Sequence, residues 1–130
     1  GYGIIPPEIN EIIYRMKMPY NVTIAAQIAV RETFADMEYM QWTIEAIITE
    51  RDRFSNKLKA QGILDPIPSR SNFILCRVLK GNALQIKQDL EKRGVFIRYF
   101  DTPQLQNMIR ISVGKPEHTD TVIEALADLS

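Results

Sequence analysis

Two short segments near the C-terminal end constrain the fold more than anything else in the chain: Gly94-Val95-Phe96-Ile97-Arg98-Tyr99-Phe100 and Met108-Ile109-Arg110-Ile111-Ser112-Val113-Gly114. β-branched and aromatic residues favour a half-buried pleated strand, yet each segment carries an arginine in its middle. Successive side chains of a strand point to opposite faces, so Ile97 opposes Arg98, while Ile109 and Ile111 oppose Arg110. With the isoleucine face packed on helices, both arginines project from the other face and can converge from neighbouring antiparallel strands. A permanently charged guanidinium in such a setting calls for an anion, and its planar fork suits a carboxylate or a phosphate. Each charge-assisted hydrogen bond of that kind contributes roughly 1.5–3 kcal/mol. Spacing alone leaves a second reading equally open: a solvated face carrying two ordinary surface charges.

The rest of the pattern builds a scaffold for these strands. Pro6-Pro7 opens a helix, proline being tolerated in the first turn, and Ile9, Ile12, Ile13 and Met16 follow at one-face helical spacing. Pro19 interrupts it, and Asn21 is the expected N-cap of a second helix running to about Phe34. Its apolar residues run nearly all round, which predicts burial. Met37, Met40, Ile44, Ile47, Phe54 and Leu58 mark a long third helix, with Arg51 in the same seam and Gly62 as its stop. Asp65-Pro66-Ile67-Pro68-Ser69 reads as a stiff connection, and Asn72 to Val78 as a strand. Ala83, Ile86 and Leu90 mark a helix ended by Gly94. Val95 to Tyr99 and Ile109 to Val113 form a hairpin in this reading, and Pro116 begins a last helix with Val122, Leu126 and Leu129 inward. The expected fold class is α/β, with an α+β C-terminal half: helices on a small, mainly antiparallel sheet.

Sixteen basic residues balance sixteen acidic ones, so no electrostatic footprint argues for nucleic acid or an anionic membrane. No apolar run approaches a membrane span. The single Cys76 sits in an apolar run with no base to activate it, and reads as a small core residue. One histidine, His118, and one cysteine make no transition-metal constellation, and His118 reads as a solvated residue in the first turn of the last helix. Gly1 to Ile5 reads as the end of a strand already under way, so the chain is expected to be an excised portion of something longer.

Several ordered strings resemble the class I/II aminotransferases, and most of all their histidinol-phosphate branch. They are Gly1-Tyr2-Gly3-Ile4, Pro7-Glu8-Ile9, Pro19-Tyr20-Asn21-Val22, Glu50-Arg51-Asp52-Arg53, Pro68-Ser69-Arg70-Ser71-Asn72-Phe73-Ile74-Leu75, Gly94-Val95-Phe96-Ile97-Arg98, and Ile109-Arg110-Ile111-Ser112-Val113-Gly114-Lys115-Pro116-Glu117. The resemblance implies the C-terminal part of a type I pyridoxal-phosphate transferase. Residues 1–62 would be crossover helices linking a large and a small domain, and residues 63–130 the small C-terminal domain. In such enzymes the cofactor lysine lies in a serine-lysine segment shortly before the Gly-Tyr-Gly stretch. No lysine of this chain matches that motif, so no catalytic residue is assigned and no cofactor is expected on the fragment itself.

Two family roles do fall on residues present. The resemblance implies that Arg110 binds the substrate α-carboxylate and that Arg98 helps hold the substrate phosphate. Asn72 is a candidate to orient Arg110 and equally a turn residue at a strand start. Ser71 replaces the family's usual alanine or glycine. Tyr20 is a candidate site contact, with packing the better reading. The implied activity moves an amino group between histidinol phosphate and 2-oxoglutarate, in a cytoplasmic homodimer of histidine biosynthesis. A threonine-phosphate decarboxylase or a broader aminotransferase is the alternative within the superfamily. A freestanding, non-catalytic α+β regulatory module is the alternative outside it.

Overall fold

Proline placement decides where the first helix begins. In the computed structural model, which describes residues 3–19 and 21–129, α1 spans Pro7–Met16 with Pro6 at its N-cap. Gly3–Ile5 carries no strand pairing, and Gly1 and Tyr2 lie outside the described residues. Helix α2 spans Ile24–Ala35 and is capped by Thr23 rather than Asn21: the Thr23 hydroxyl accepts the Ala26 N–H at 3.1 Å. Two residues separate the candidates, and only the later one places its oxygen over the first turn. The chain divides into two compact units, residues 1–40 and 41–130. Within the first, no α2 residue is buried, contrary to the expectation from its composition; Ile24 and Phe34 are 75% and 64% exposed. Forty residues are too few to enclose a helix that is apolar all round.

Helix α3, Met37–Gln61, begins under an Asp36 cap whose carboxylate accepts the Tyr39 N–H at 3.1 Å. Its C-terminal half buries Glu50, Phe54 and Leu58 against the second unit's core. Gly62 ends it at φ 68°, a left-handed conformation that costs other residues a Cβ clash.

The sheet has four strands in the order β1-β2-β4-β3, every neighbouring pair antiparallel. These are β1 (Leu64–Pro66), β2 (Phe73–Val78), β3 (Arg98–Tyr99) and β4 (Met108–Ser112). The short β1 replaces the expected stiff connection. Its Pro66 is admissible because an edge strand needs donors on one side only, and Ile67 N–H continues the pairing to the Leu75 carbonyl at 2.9 Å. The β3–β4 hairpin forms as expected, although only Arg98 and Tyr99 of its first arm reach ladder pairing.

Helices α4 (Ala83–Lys92) and α5 (Pro116–Ala127) complete the unit. Ile74, Cys76, Val78, Ile109 and Ile111 form the buried sheet face. They pack in one core with Phe54 and Leu58 of α3, Ala83, Ile86 and Leu90 of α4, and Val122, Ala125 and Leu126 of α5. Each large apolar side chain buried this way contributes about 1.5–3 kcal/mol. Cys76 is fully buried, and burial pushes its thiol up to about 12, so it stays protonated and inert.

Asn107 holds the far end of the hairpin. Its φ of 55° turns the chain into β4, its Oδ1 accepts the Ala83 N–H at 2.9 Å, and its Nδ2 donates to the Val78 carbonyl at 3.2 Å. One side chain therefore joins β2, β4 and the start of α4.

Candidate functional site: a cross-strand arginine pair

The register of the hairpin places Arg98 directly opposite Arg110, with Leu75 of β2 on the other side of Arg110. Directly opposed residues share a face, their Cβ atoms about 4.5–5.5 Å apart, and like charges there are destabilising. The burial pattern confirms which face this is: Ile109 and Ile111 are buried, Val95, Ile97 and Tyr99 pack on the core, and Arg98 is exposed. The two guanidinium groups thus share the outer face of the sheet.

Aromatic rings hold them there. Arg98 Cζ lies 5.5 Å from the centroid of Phe100, and Arg110 Cζ lies 5.0 Å from Phe73 and 5.9 Å from Phe100. These distances suit cation–π attraction. Among the described residues neither guanidinium has a carboxylate partner, whereas Arg51, Arg53, Arg77 and Arg93 each have one. Two guanidinium groups opposed on one face, near rings and without a carboxylate partner, have the donor chemistry that suits an anion with several oxygens.

Asn72 stands apart from this arrangement. Its side-chain oxygen accepts from the Ser71 hydroxyl at 3.3 Å and its carbonyl from Val113 N–H at 2.8 Å; no hydrogen bond joins it to Arg110. Tyr20 lies outside the described residues. Phe73 and Phe100 were given no site role in the sequence reading. Their signal was present: Phe100 lies two residues past Arg98, and period-two alternation puts such a residue on the same side.

The face is open. A cleft of about 500 Å³ bounded by Asn82, Ala83, Tyr99, Phe100, Thr102 and Asn107 touches the pair only through Phe100. A second, of about 420 Å³, lies among Ile44, Ile47, Ile48, Arg51, Arg70 and Asn72.

Behind the sheet the charges are saturated. Arg53 Nε meets both oxygens of Glu50 at 3.1 and 3.0 Å, its Nη1 meets Asp120 at 2.9 Å, and its Nη2 donates to the Pro116 carbonyl at 2.8 Å. Lys57 adds a 2.6 Å contact to Asp120. Burial works to raise the Glu50 carboxyl, but the Arg53 guanidinium and Thr119 together outweigh it and hold the group below its ordinary range. Hydrogen bonds from Arg53, then Lys57, lower Asp120 likewise. His118 also has a structural task beyond the solvated role expected of it: its Nδ1 accepts the Lys115 N–H at 3.3 Å at the start of α5.

Residues 1–127 match the family model for aminotransferase class I and II, and the chain belongs to that family. Two curated relatives are histidinol-phosphate aminotransferases. The chain is 46% identical over 129 residues to histidinol-phosphate aminotransferase of Dehalococcoides mccartyi strain BAV1, covering 99% of this chain and 36% of that protein. It is 43% identical over 127 residues to the chloroplastic enzyme of Nicotiana tabacum, covering 97% and 31%. The chain therefore spans about a third of the length of the curated relatives it matches. The fold matches histidinol-phosphate aminotransferase of Clostridium acetobutylicum (TM-score 0.81, 22% identity, 94% of this chain and 37% of that one). It also matches L-threonine-O-3-phosphate decarboxylase of Porphyromonas gingivalis (0.80, 21%, 97% and 40%). A third match is the Sinorhizobium meliloti aminotransferase solved with pyridoxal-5'-phosphate (0.79, 22%, 95% and 34%). Family membership disfavours the reading as an unrelated regulatory module.

Class I and II aminotransferases depend on pyridoxal phosphate, and covalent anchoring of its aldehyde needs a desolvated amine beside a pocket. The lysines described do not fit that role. Lys57, Lys87 and Lys92 are engaged by carboxylates, Lys17 lies over the Tyr14 ring, and Lys59, Lys80 and Lys115 are exposed. The residues present fit an anion, not the cofactor's aldehyde. No described helix is long and apolar enough to cross a membrane.

Proposed function

We propose that this chain is the C-terminal part of a pyridoxal-phosphate aminotransferase that moves an amino group between histidinol phosphate and 2-oxoglutarate. Its own contribution is recognition of the substrate anion. In this reading residues 1–62 are the crossover helices and residues 63–130 the small domain of a cytoplasmic homodimer. The observation that carries the assignment of the site is the cross-strand pair Arg98–Arg110, uncommitted to any carboxylate. The identity of 46% and 43% to histidinol-phosphate aminotransferases across nearly the whole chain supports the choice of substrate.

The two half-reactions bring different anions to one place: a phosphate with histidinol phosphate, an α-carboxylate with glutamate. Arg110, flanked on both sides, takes either through its fork, and Arg98 adds the second cation that a dianionic phosphate rewards. Neither arginine moves protons. Both fix where the amine lies, a positioning contribution. The electron-withdrawing chemistry belongs to pyridoxal phosphate held elsewhere in the parent enzyme. The 130 residues by themselves are expected to show no transamination when supplied with the cofactor.

The test is steady-state kinetics of the full-length enzyme with histidinol phosphate, aromatic amino acids and threonine phosphate. Histidinol phosphate should be the preferred donor. Arg98→Ala should lower kcat/KM for it by roughly 10- to 100-fold, the loss of one charge-assisted hydrogen bond of about 1.5–3 kcal/mol. Non-phosphorylated donors should change far less. Equal losses for both kinds of donor would remove the phosphate role from Arg98.

A further inference from the structure

Phe100 stands in an unusual relation to the arginine pair. Its ring is within cation–π range of both guanidinium groups, 5.5 Å from Arg98 and 5.9 Å from Arg110, whereas Phe73 reaches Arg110 alone. Two like charges opposed across a ladder repel, and their long side chains have rotamers that carry them apart. A half-buried ring within reach of both opposes that drift by presenting a negative face to the two cations. It also occupies apolar space without offering a carboxylate, which would have consumed the N–H edges. Phe100 follows β3 directly and lines the cleft beside the hairpin turn with Asn82, Thr102 and Asn107.

We infer that Phe100 is a positioning residue that keeps the Arg98 and Arg110 guanidinium groups together, so that the pair grips a phosphate dianion more strongly than a carboxylate. The inference rests on the anion-binding reading of the pair. A carboxylate needs one fork, which Arg110 can supply with Phe73 alone behind it. A phosphate presents three oxygens and draws on both forks, so it depends on the ring that the two arginines share.

The experiment is calorimetric titration of the full-length holoenzyme with inorganic phosphate and, separately, with glutarate. Phe100→Leu should weaken phosphate by about five- to tenfold and glutarate by about twofold at most, the scale of a partly desolvated cation–π contact. Phe100→Tyr, which restores the ring, should lie within about twofold of the parent for both. Should Phe100→Leu unfold, Phe100→Met supplies similar volume without a ring and answers the same question. An unchanged phosphate affinity in the ring-less variant, equal weakening of both anions, or equal loss in the tyrosine variant would each overturn the inference. Arg110→Gln separates this from the underlying reading. If that change loses phosphate while Phe100→Leu does not, only the role of the ring fails; if it too leaves phosphate binding intact, the anion site itself is misassigned.

Discussion

Arg53 and Arg110 bring the same guanidinium group into opposite surroundings on the two sides of one small sheet. Behind the sheet, Arg53 spends its donors on Glu50, Asp120 and the Pro116 carbonyl, tying α3 to the start of α5. On the outer face, Arg110 has rings at 5.0 and 5.9 Å, a second arginine across the ladder, and no carboxylate. A saturated arginine is a structural clamp, because any incoming anion would have to displace partners already in place. In the proposed reading, an unsaturated one beside a like charge is poised to bind, because an anion would relieve repulsion as it forms bonds. The difference shows how to sort arginines in a domain of this kind. The informative property is what the donors already touch, not exposure.

The largest expected effect falls on the poised side. Arg110→Ala should lower kcat/KM of the full-length enzyme by about 100-fold or more for both amino donors, since a bidentate pair joins two charge-assisted bonds. Thermal stability should hold or rise slightly as the cross-strand repulsion disappears. A fall in melting temperature as large as that of Arg53→Ala would erase the distinction between the two arginines. Arg110→Lys should recover little, because an ammonium lacks the fork.

Next comes pH, which should act on the two regions in separate windows. Glu50 and Asp120 are held below the ordinary carboxylate range, so their contribution is complete above that range and is lost as pH falls through their lowered values. Melting temperature should therefore be level through neutrality and drop in acid below about pH 4. Arg53→Met should flatten that acid limb while lowering the plateau. The outer face follows its ligand instead: a phosphate monoester loses its second charge near pH 6. Affinity for phosphate should thus weaken between about pH 7 and 5, where the clamp is still whole. Coincident acid limbs for stability and phosphate affinity would show that binding merely reports unfolding.

Much of this arrangement was legible in the sequence, for physical reasons that also explain the gaps. Period-two alternation put Ile109 and Ile111 opposite Arg110, and the register bears that out. The proline starts of α1 and α5 and the glycine stop of α3 were equally plain, because those residues restrict or permit backbone angles whatever surrounds them. Thr23 taking the cap from Asn21 was not legible: both are good caps, and only the path of the chain chooses. Nor was β1, whose two prolines near the strand read as a linker until an edge position made them harmless. Phe73 and Phe100 were missed because an aromatic residue in a strand suggests core first, and their contact with cations depends on register. The apolar girth of α2 correctly marked a helix, but the burial it suggested is not seen in the described residues.

The smallest expected effect tests whether the two regions speak to each other. Gly114 lies two residues past the end of β4 and two before α5, and so joins the strand that carries Arg110 to the helix start whose Pro116 carbonyl Arg53 holds. A Cβ built there would sit 2.6 Å from His118 Nδ1, closer than such atoms come, and a tight 3.1 Å from His118 Cβ. Gly114→Ala must therefore push the imidazole aside and break its bond to the Lys115 N–H, a loss on the scale of a helix cap, about 1 kcal/mol. His118→Ala alone should cost a similar amount, and adding Gly114→Ala to it should cost almost nothing more, because the obstructing ring is gone. Calorimetric melting of the two single variants and the double variant gives the coupling directly. The anion side supplies the second measurement: if α5 merely braces the sheet, phosphate affinity should stay within about twofold of the parent in all three. A larger loss in Gly114→Ala that His118→Ala relieves would mean that the helix start helps set the strand on which Arg110 stands, and the clamp and the poised face would have to be treated as one device.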